Sequence, residues 1–190
     1  VLETELTVCV CFQAMDIEML PRPQLRRHKV LSSLGPDLLS DEEPDWDEVA
    51  HRVGRFHTDA DTLGEVLLDQ RIVAGIGNVY KSELAFMGPL EDDAFKFNAD
   101  GYDPWRTLSR LKKDTVVGFF RRARTLLQAN LGGWHRTTTV DRRTEPEPAL
   151  GALHVYGRAG KKCPRCGAKI AVAHQGLQHR VTYWCAGCQR

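Results

Sequence analysis

The chain has 190 residues, 42% of them hydrophobic and 27% charged, with a formal net charge of +1. That length holds one ordinary domain or two small ones, and the composition is that of a soluble globular protein. No apolar run approaches the ~18 residues a membrane span needs, and no basic-then-apolar leader opens the chain, so no membrane partner is expected and the expected setting is cytoplasmic. The charge is unevenly spread. Residues 1–60 carry 6 Lys/Arg against 12 Asp/Glu, residues 61–130 carry 10 against 10, and residues 131–190 carry 10 against 3. A basic final third points toward a polyanion such as nucleic acid, the alternative being a merely soluble basic tail.

In chain order, Leu2, Thr4, Leu6, Val8, Val10 and Phe12 alternate with Glu3, Glu5, Thr7, Cys9 and Cys11. That period of two predicts a half-buried strand, with no partner strand evident nearby. Pro21, Pro23, Gly35 and Pro36 mark a connection. Asp45 is placed to cap a short helix with Trp46, Val49, Val53 and Phe56 inward, and Asp61 or Thr62 to open another with Leu63, Val66 and Leu67 inward. The stretch Arg71–Gly77 holds two glycines, and a further helix is expected from Asn78 to Met87, stopped by Gly88-Pro89. Gly75 and Gly77 permit a tight turn and a close approach of another molecule. Asn78 at a helix start either caps the helix or meets an anion such as a DNA phosphate; a turn that only packs two helices is the plainer alternative. Trp105 to Asn130 reads as one long amphipathic helix, with Arg110, Lys112, Lys113, Arg121, Arg122 and Arg124 on its polar side. Residues 136–150 read as a loop.

Cys163-x2-Cys166 and Cys185-x2-Cys188 stand 18 residues apart. Two such knuckles supply the four thiolates of a closed, structural Zn²⁺ site, against unligated thiols or a redox pair. A zinc-thiolate site with no other cysteine framework suggests a reducing, intracellular compartment. Strands are expected over Lys169–Ala173 and Arg180–Trp184, turning near Gly176. His135, His154, His174 and His179 are not needed as ligands.

The segment Leu67–Glu83, with Gly75-Ile76-Gly77-Asn78 at its turn, resembles the helix-two-turn-helix of the formamidopyrimidine-DNA glycosylase/endonuclease VIII family. The closing stretch, from Val155-Tyr156-Gly157-Arg158 through Arg180-Val181-Thr182-Tyr183-Trp184-Cys185 to Gln189, is similar to that family's zinc finger. The resemblance implies an α+β fold: a helix-two-turn-helix domain over 40–150, a four-cysteine β-hairpin zinc finger over 151–190, and over 1–39 a residual strand and linker of a truncated N-terminal β-sandwich. It implies a base-excision-repair DNA glycosylase and AP lyase, with damaged double-stranded DNA as partner, one structural zinc, no nucleotide cofactor, and a monomeric, nucleoid-associated protein if bacterial. Asn78 and Arg180 would hold the phosphates flanking the lesion, Arg180 also serving δ-elimination. Gly75, Gly77, Lys81 and Arg136 join them as expected DNA contacts. Trp134-His135-Arg136-Thr137-Thr138-Thr139 lies where the family places a lesion-facing loop, and its character favours oxidised pyrimidines over purines.

The family's nucleophile is an N-terminal proline with a free secondary amine, followed by Glu and assisted by a β-turn Lys. Here Pro21 and Pro23 are internal amides, Glu3 follows Val1-Leu2 rather than a proline, and neither Lys29 nor Lys81 carries the motif of the assisting Lys. These residues alone are therefore expected to be inactive, the DNA-binding part of a truncated chain. The alternative is a non-catalytic zinc-finger DNA-binding protein, regulatory or architectural.

Overall fold

The computed structural model describes residues 1–11, 17–25, 27–132, 136–141 and 153–190. They fall into two compact units, Val1–Ser33 and Leu34–Arg190. In the first, Thr7 N donates to Thr4 Oγ1 at 3.0 Å and Thr4 N donates to Thr7 O at 2.8 Å. This turn pairs β1 (Leu2–Glu3) with β2 (Val8–Cys9), Leu2 opposite Cys9 and Glu3 opposite Val8. The single unpartnered strand expected over residues 2–12 is thus corrected to a small hairpin, because the Thr4 hydroxyl draws the chain back on itself. Both residues of β2 are exposed, so the expected half-burial is not realised. Two short helices, α1 (Arg22–Leu25) and α2 (Lys29–Ser33), bury no side chain. Phe12 lies outside the described residues.

In the second unit, α3 (Trp46–Phe56) starts where Asp45 accepts hydrogen bonds from Asp47 N and Glu48 N. Two further acids in its first turn suit the positive end of the dipole. α4 (Leu63–Leu68) follows Thr62, whose N–H and hydroxyl both donate to Glu65 Oε2. α5 (Asn78–Met87) ends at Gly88, φ +92°, and every residue from Tyr80 to Met87 is buried.

The long helix expected over 105–130 is corrected to α6, Lys113–Ala129, preceded by a 3-10 turn at Leu108–Arg110. The physical reason lies in α4. Its first N–H groups have no intrahelical acceptor; Gly64 N donates to Pro104 O and Leu63 N to Arg106 O, both at 2.9 Å. Those carbonyls serve α4 only while residues 104–107 stay out of a helix, although Trp105, Leu108 and Leu111 are spaced for one. Arg122, expected on the polar face, is fully buried; its guanidinium donates to Met87 O, Lys96 O and Asn98 Oδ1 at 2.9–3.1 Å.

α3 packs on α6, α4 on α5, and α5 on β4. β3 (Ala171–Gln175) and β4 (Arg180–Trp184) are antiparallel, from Ala171 opposite Trp184 to Gln175 opposite Arg180. β3 sits two residues later than expected, and left-handed Gly176 (φ +67°) and His179 (φ +48°) shape the tip. One apolar core runs from Val49, Leu63 and Phe119 through Tyr80, Leu84 and Phe86 to Val155, Cys163, Ile170 and Cys185. Helices and cysteine knuckles therefore share a single interior. Among the described residues, no helix is long and apolar enough to cross a membrane.

Candidate nucleic-acid interface and metal centre

The turn between α4 and α5 is organised by Gln70. Its Oε1 accepts from Gly75 N at 2.9 Å and its Nε2 donates to Ile76 O at 2.6 Å. Gly75 sits at φ +127°, where a side chain would be strained and its Cβ would press on Leu127. Gly77 is extended and is itself the N-cap; a Cβ there would face open space. Asn78 is consequently the first helical residue rather than a cap, and its Oδ1 is buried with no hydrogen-bond partner among the described residues. An unpaired buried amide oxygen is costly, and beside it stands a helix start whose N–H groups favour an anion.

Across an open groove of about 710 Å³ stands the tip of the β3–β4 hairpin. Gln70, Gly77 and Asn78 line one side; Gly176, Gln178 and Arg180 line the other. Arg180 is exposed, and its Nε donates to Gln178 Oε1 at 3.0 Å, which leaves the rest of the fork toward solvent. Asp69, which also lines the groove, is occupied: Arg71 Nη2 reaches it at 2.5 Å and His57 Nε2 lies at 3.0 Å. Burial alone would raise the Asp69 carboxyl, yet the Arg71 guanidinium holds it below the ordinary range.

Lys81 does not line the groove. It is fully buried, and its Nζ donates to Thr182 Oγ1 at 2.6 Å. The Thr182 hydroxyl donates in turn to Gln175 Oε1, and Gln175 Nε2 donates to Pro104 O and Thr62 Oγ1. The expectation of a direct DNA contact from Lys81 is corrected by this enclosure: its ammonium is spent inside, tying α5 to the hairpin. Burial, and then the nearby Arg180, push it down to about 8.

Arg136 is exposed, and its charge is felt by the Tyr80 hydroxyl, which burial otherwise raises. Trp134 and His135 lie outside the described residues, as do 142–150 of the expected loop. The adjoining threonines are held firmly. Thr137 N donates to Asn130 Oδ1 at 2.8 Å, and Thr138 Oγ1 donates to Glu83 Oε2 at 2.5 Å. Glu83, fully buried, also accepts from the backbone N–H of His154, Val155 and Tyr156, each at 2.8 Å. Sequence reasoning missed this carboxylate, whose partners lie 55 to 73 residues away; an acid inside an otherwise inward run of α5 was the available signal.

The sulfurs of Cys163, Cys166, Cys185 and Cys188 all lie within 4.8 Å of one another. Cys163 and Cys188 are 3.7 Å apart, Cys166 and Cys185 3.4 Å. A tetrahedral thiolate centre with ~2.3 Å metal–sulfur bonds has sulfur–sulfur edges of about 3.8 Å, so the four residues fit a metal. This cluster contains no histidine. His154 is instead stacked on Phe86, and His174 and His179 face each other on the hairpin. Arg165, inside the first knuckle, lies over Phe86 and Phe97 and donates to Phe86 O at 2.6 Å, which ties the centre to the end of α5.

Helices closed on a glycine turn, with a cysteine-knuckle hairpin facing that turn, define a mixed α+β protein with a possible four-cysteine metal centre. No protein-family model matches the chain. It is 40% identical to the probable endonuclease 8 2 of Streptomyces coelicolor, over 85% of this chain and 51% of that one. It is 38% identical to the DNA-(apurinic or apyrimidinic site) lyase Nei2 of Mycolicibacterium smegmatis, over 100% of this chain and 65% of that one. Among solved structures, MutM (Fpg) from Thermus thermophilus matches with TM-score 0.60 at 28% identity, over 88% of this chain and 58% of that one. The Lactococcus lactis Fpg, in complex with abasic-site DNA, matches with TM-score 0.61 at 22% identity, a likeness of fold, over 89% of this chain and 55% of that one. By these relatives the chain is similar to the formamidopyrimidine-DNA glycosylase/endonuclease VIII family. It spans 51% and 65% of the two curated relatives named here.

Proposed function

We propose that these residues form the DNA-gripping part of a base-excision-repair DNA glycosylase with AP lyase activity, directed at oxidised bases and favouring pyrimidines. The observation that carries this is the groove on which Asn78 and Arg180 face each other. A phosphate between them would meet the N–H groups of a helix start and a guanidinium whose fork matches its oxygens. Gly75 and Gly77 let the backbone approach the strand closely, and Arg136 extends the positive edge. Contacts of this kind on one flank of a lesion help bend the duplex and drive the damaged nucleotide out of the stack. The four thiolates suit Zn²⁺, which holds the hairpin and so the reach of Arg180. In this reading 40–150 is the helix-two-turn-helix body, 151–190 the zinc finger and 1–39 the edge of a β-sandwich, in a monomer acting on damaged double-stranded DNA. The character of the Arg136–Thr139 stretch supports the pyrimidine preference.

A charged hydrogen bond to phosphate is worth about 1.5–3 kcal/mol. Asn78→Ala and Arg180→Ala should therefore each weaken binding to an abasic-site duplex by roughly 10- to 100-fold in a fluorescence-anisotropy titration. Unchanged affinity in both would sink the phosphate clamp. A second reading is a non-catalytic DNA-binding protein; within these residues Pro21 and Pro23 have amide nitrogens and offer no amine nucleophile. Borohydride trapping on the same duplex separates the two: no covalent adduct is expected from these 190 residues, and an adduct would overturn their proposed inactivity.

A further inference from the structure

Lys81 is a fully buried ammonium whose one hydrogen-bond partner among the described residues is a neutral hydroxyl, Thr182 Oγ1. A buried charge is ordinarily neutralised by a counter-charge or by loss of its proton. Here the charge that bears on it is another cation, Arg180. Lys81 stands three residues after Asn78 on α5, one turn along the same face. Thr182 stands two residues after Arg180 on β4, on the same side of the strand. The ammonium is thus wedged behind the two elements that present the groove's phosphate-binding residues.

We propose that Lys81 is a positioning residue for the DNA grip: a buried positive charge, with no counterion among the described residues, whose counterion is the phosphate held in front of it by Asn78 and Arg180. This rests on the phosphate-clamp reading given above. DNA supplies the missing negative charge, which favours the protonated lysine, so binding takes up a proton wherever free Lys81 has begun to lose its own. With Lys81 at about 8 in the free protein, the uptake falls above neutral pH. The other charged groups on the elements packed around α5 are committed elsewhere. Glu65 on α4 is held by Thr62. On α6, Arg122 faces the carbonyls of Met87 and Lys96, Arg124 faces Leu38 O, and Lys113, Asp114 and Arg121 are exposed. Glu83 on α5 faces Thr138 and the backbone of His154, Val155 and Tyr156, and Tyr80 faces Arg136. On β4, Tyr183 N donates to Ser82 Oγ at 3.2 Å, and Arg180 is the cation already named.

The test is the affinity of the full chain for a duplex carrying a tetrahydrofuran abasic analogue, measured from pH 7 to pH 9 at constant ionic strength. Wild type should weaken by about fivefold across that range if binding raises the lysine by one unit. Lys81→Arg should bind like wild type at pH 7 and stay flat to pH 9. Lys81→Met should be weaker at pH 7 by roughly five- to tenfold, and also flat. Calorimetry of wild type at pH 8.5 in two buffers of different ionisation enthalpy reads the proton uptake directly and needs no variant. A Lys81→Arg profile as steep as wild type, full affinity in Lys81→Met, or no proton uptake by wild type each overturns the proposal. These results are separable from failure of the clamp itself, which would show as wild-type affinity in Asn78→Ala and Arg180→Ala.

Discussion

Two charged side chains of α5 are buried for opposite purposes. Glu83 is saturated: three backbone N–H groups and a hydroxyl converge on it. Removing an acceptor from such a nest leaves buried donors unpaired, at about 1–3 kcal/mol each. Glu83→Gln keeps the shape but turns one oxygen into a donor facing donors. It should lower the melting temperature of the chain clearly, while Glu42→Gln, at an exposed site, should leave it unchanged. An unaltered melt for Glu83→Gln would show that the nest contributes nothing. Lys81 is the reverse case. Its folded value lies below the ordinary 10.5, so the native state holds fewer protons than the unfolded one between about pH 8 and 10.5, and its contribution to stability rises with pH across that window. Below it the buried charge costs on the order of 3 kcal/mol. Lys81→Met should accordingly melt no lower than wild type at pH 7 while binding DNA less well, the exchange of stability for function expected of a residue kept for binding.

At the scale of elements, the hairpin depends on two anchors of different kinds. The cysteine cluster clamps its base, and the Lys81–Thr182–Gln175 chain ties its middle to α5 and to the 104–107 segment. Chelation of the metal should abolish amide-exchange protection across β3 and β4 while most helical circular dichroism persists, since α3, α4 and α6 have their own buried faces. Protection surviving chelation would argue against a structural metal. Local signals made several elements readable in advance. Asp45 as a cap, Gly88 as a stop and the paired cysteines each act within a few residues. The start of α6 was not readable, because the spacing of Trp105, Leu108 and Leu111 is helical while the carbonyls of 104 and 106 are claimed by α4. Nor was the role of Lys81, since its partner Thr182 lies 101 residues on. A sequence shows that a lysine is present; its burial depends on a strand that arrives much later.

For the molecule as a whole, what was legible is the pair of motifs and their order. What was not is that helices and knuckles close over one interior, in which Phe86, Val155 and Cys163 belong to the same core. Segments expected as successive modules therefore hold one another in place, and groups on both sides of the groove keep a fixed relation without needing DNA to assemble them. Glu83 carries a further consequence. Because Thr138 and His154 are pinned on one carboxylate, the two ends of the stretch between them are already joined. Closing a loop becomes harder only slowly as it grows, by about 0.6 kcal/mol for each doubling. Inserting a dozen Gly/Ser residues between Asp141 and Leu153 should therefore shift the melting temperature only slightly, and a large drop would contradict the pinning. One acid on one helix thus gives the chain a place where it can lengthen, shorten or acquire new sequence while the register of everything downstream is left undisturbed.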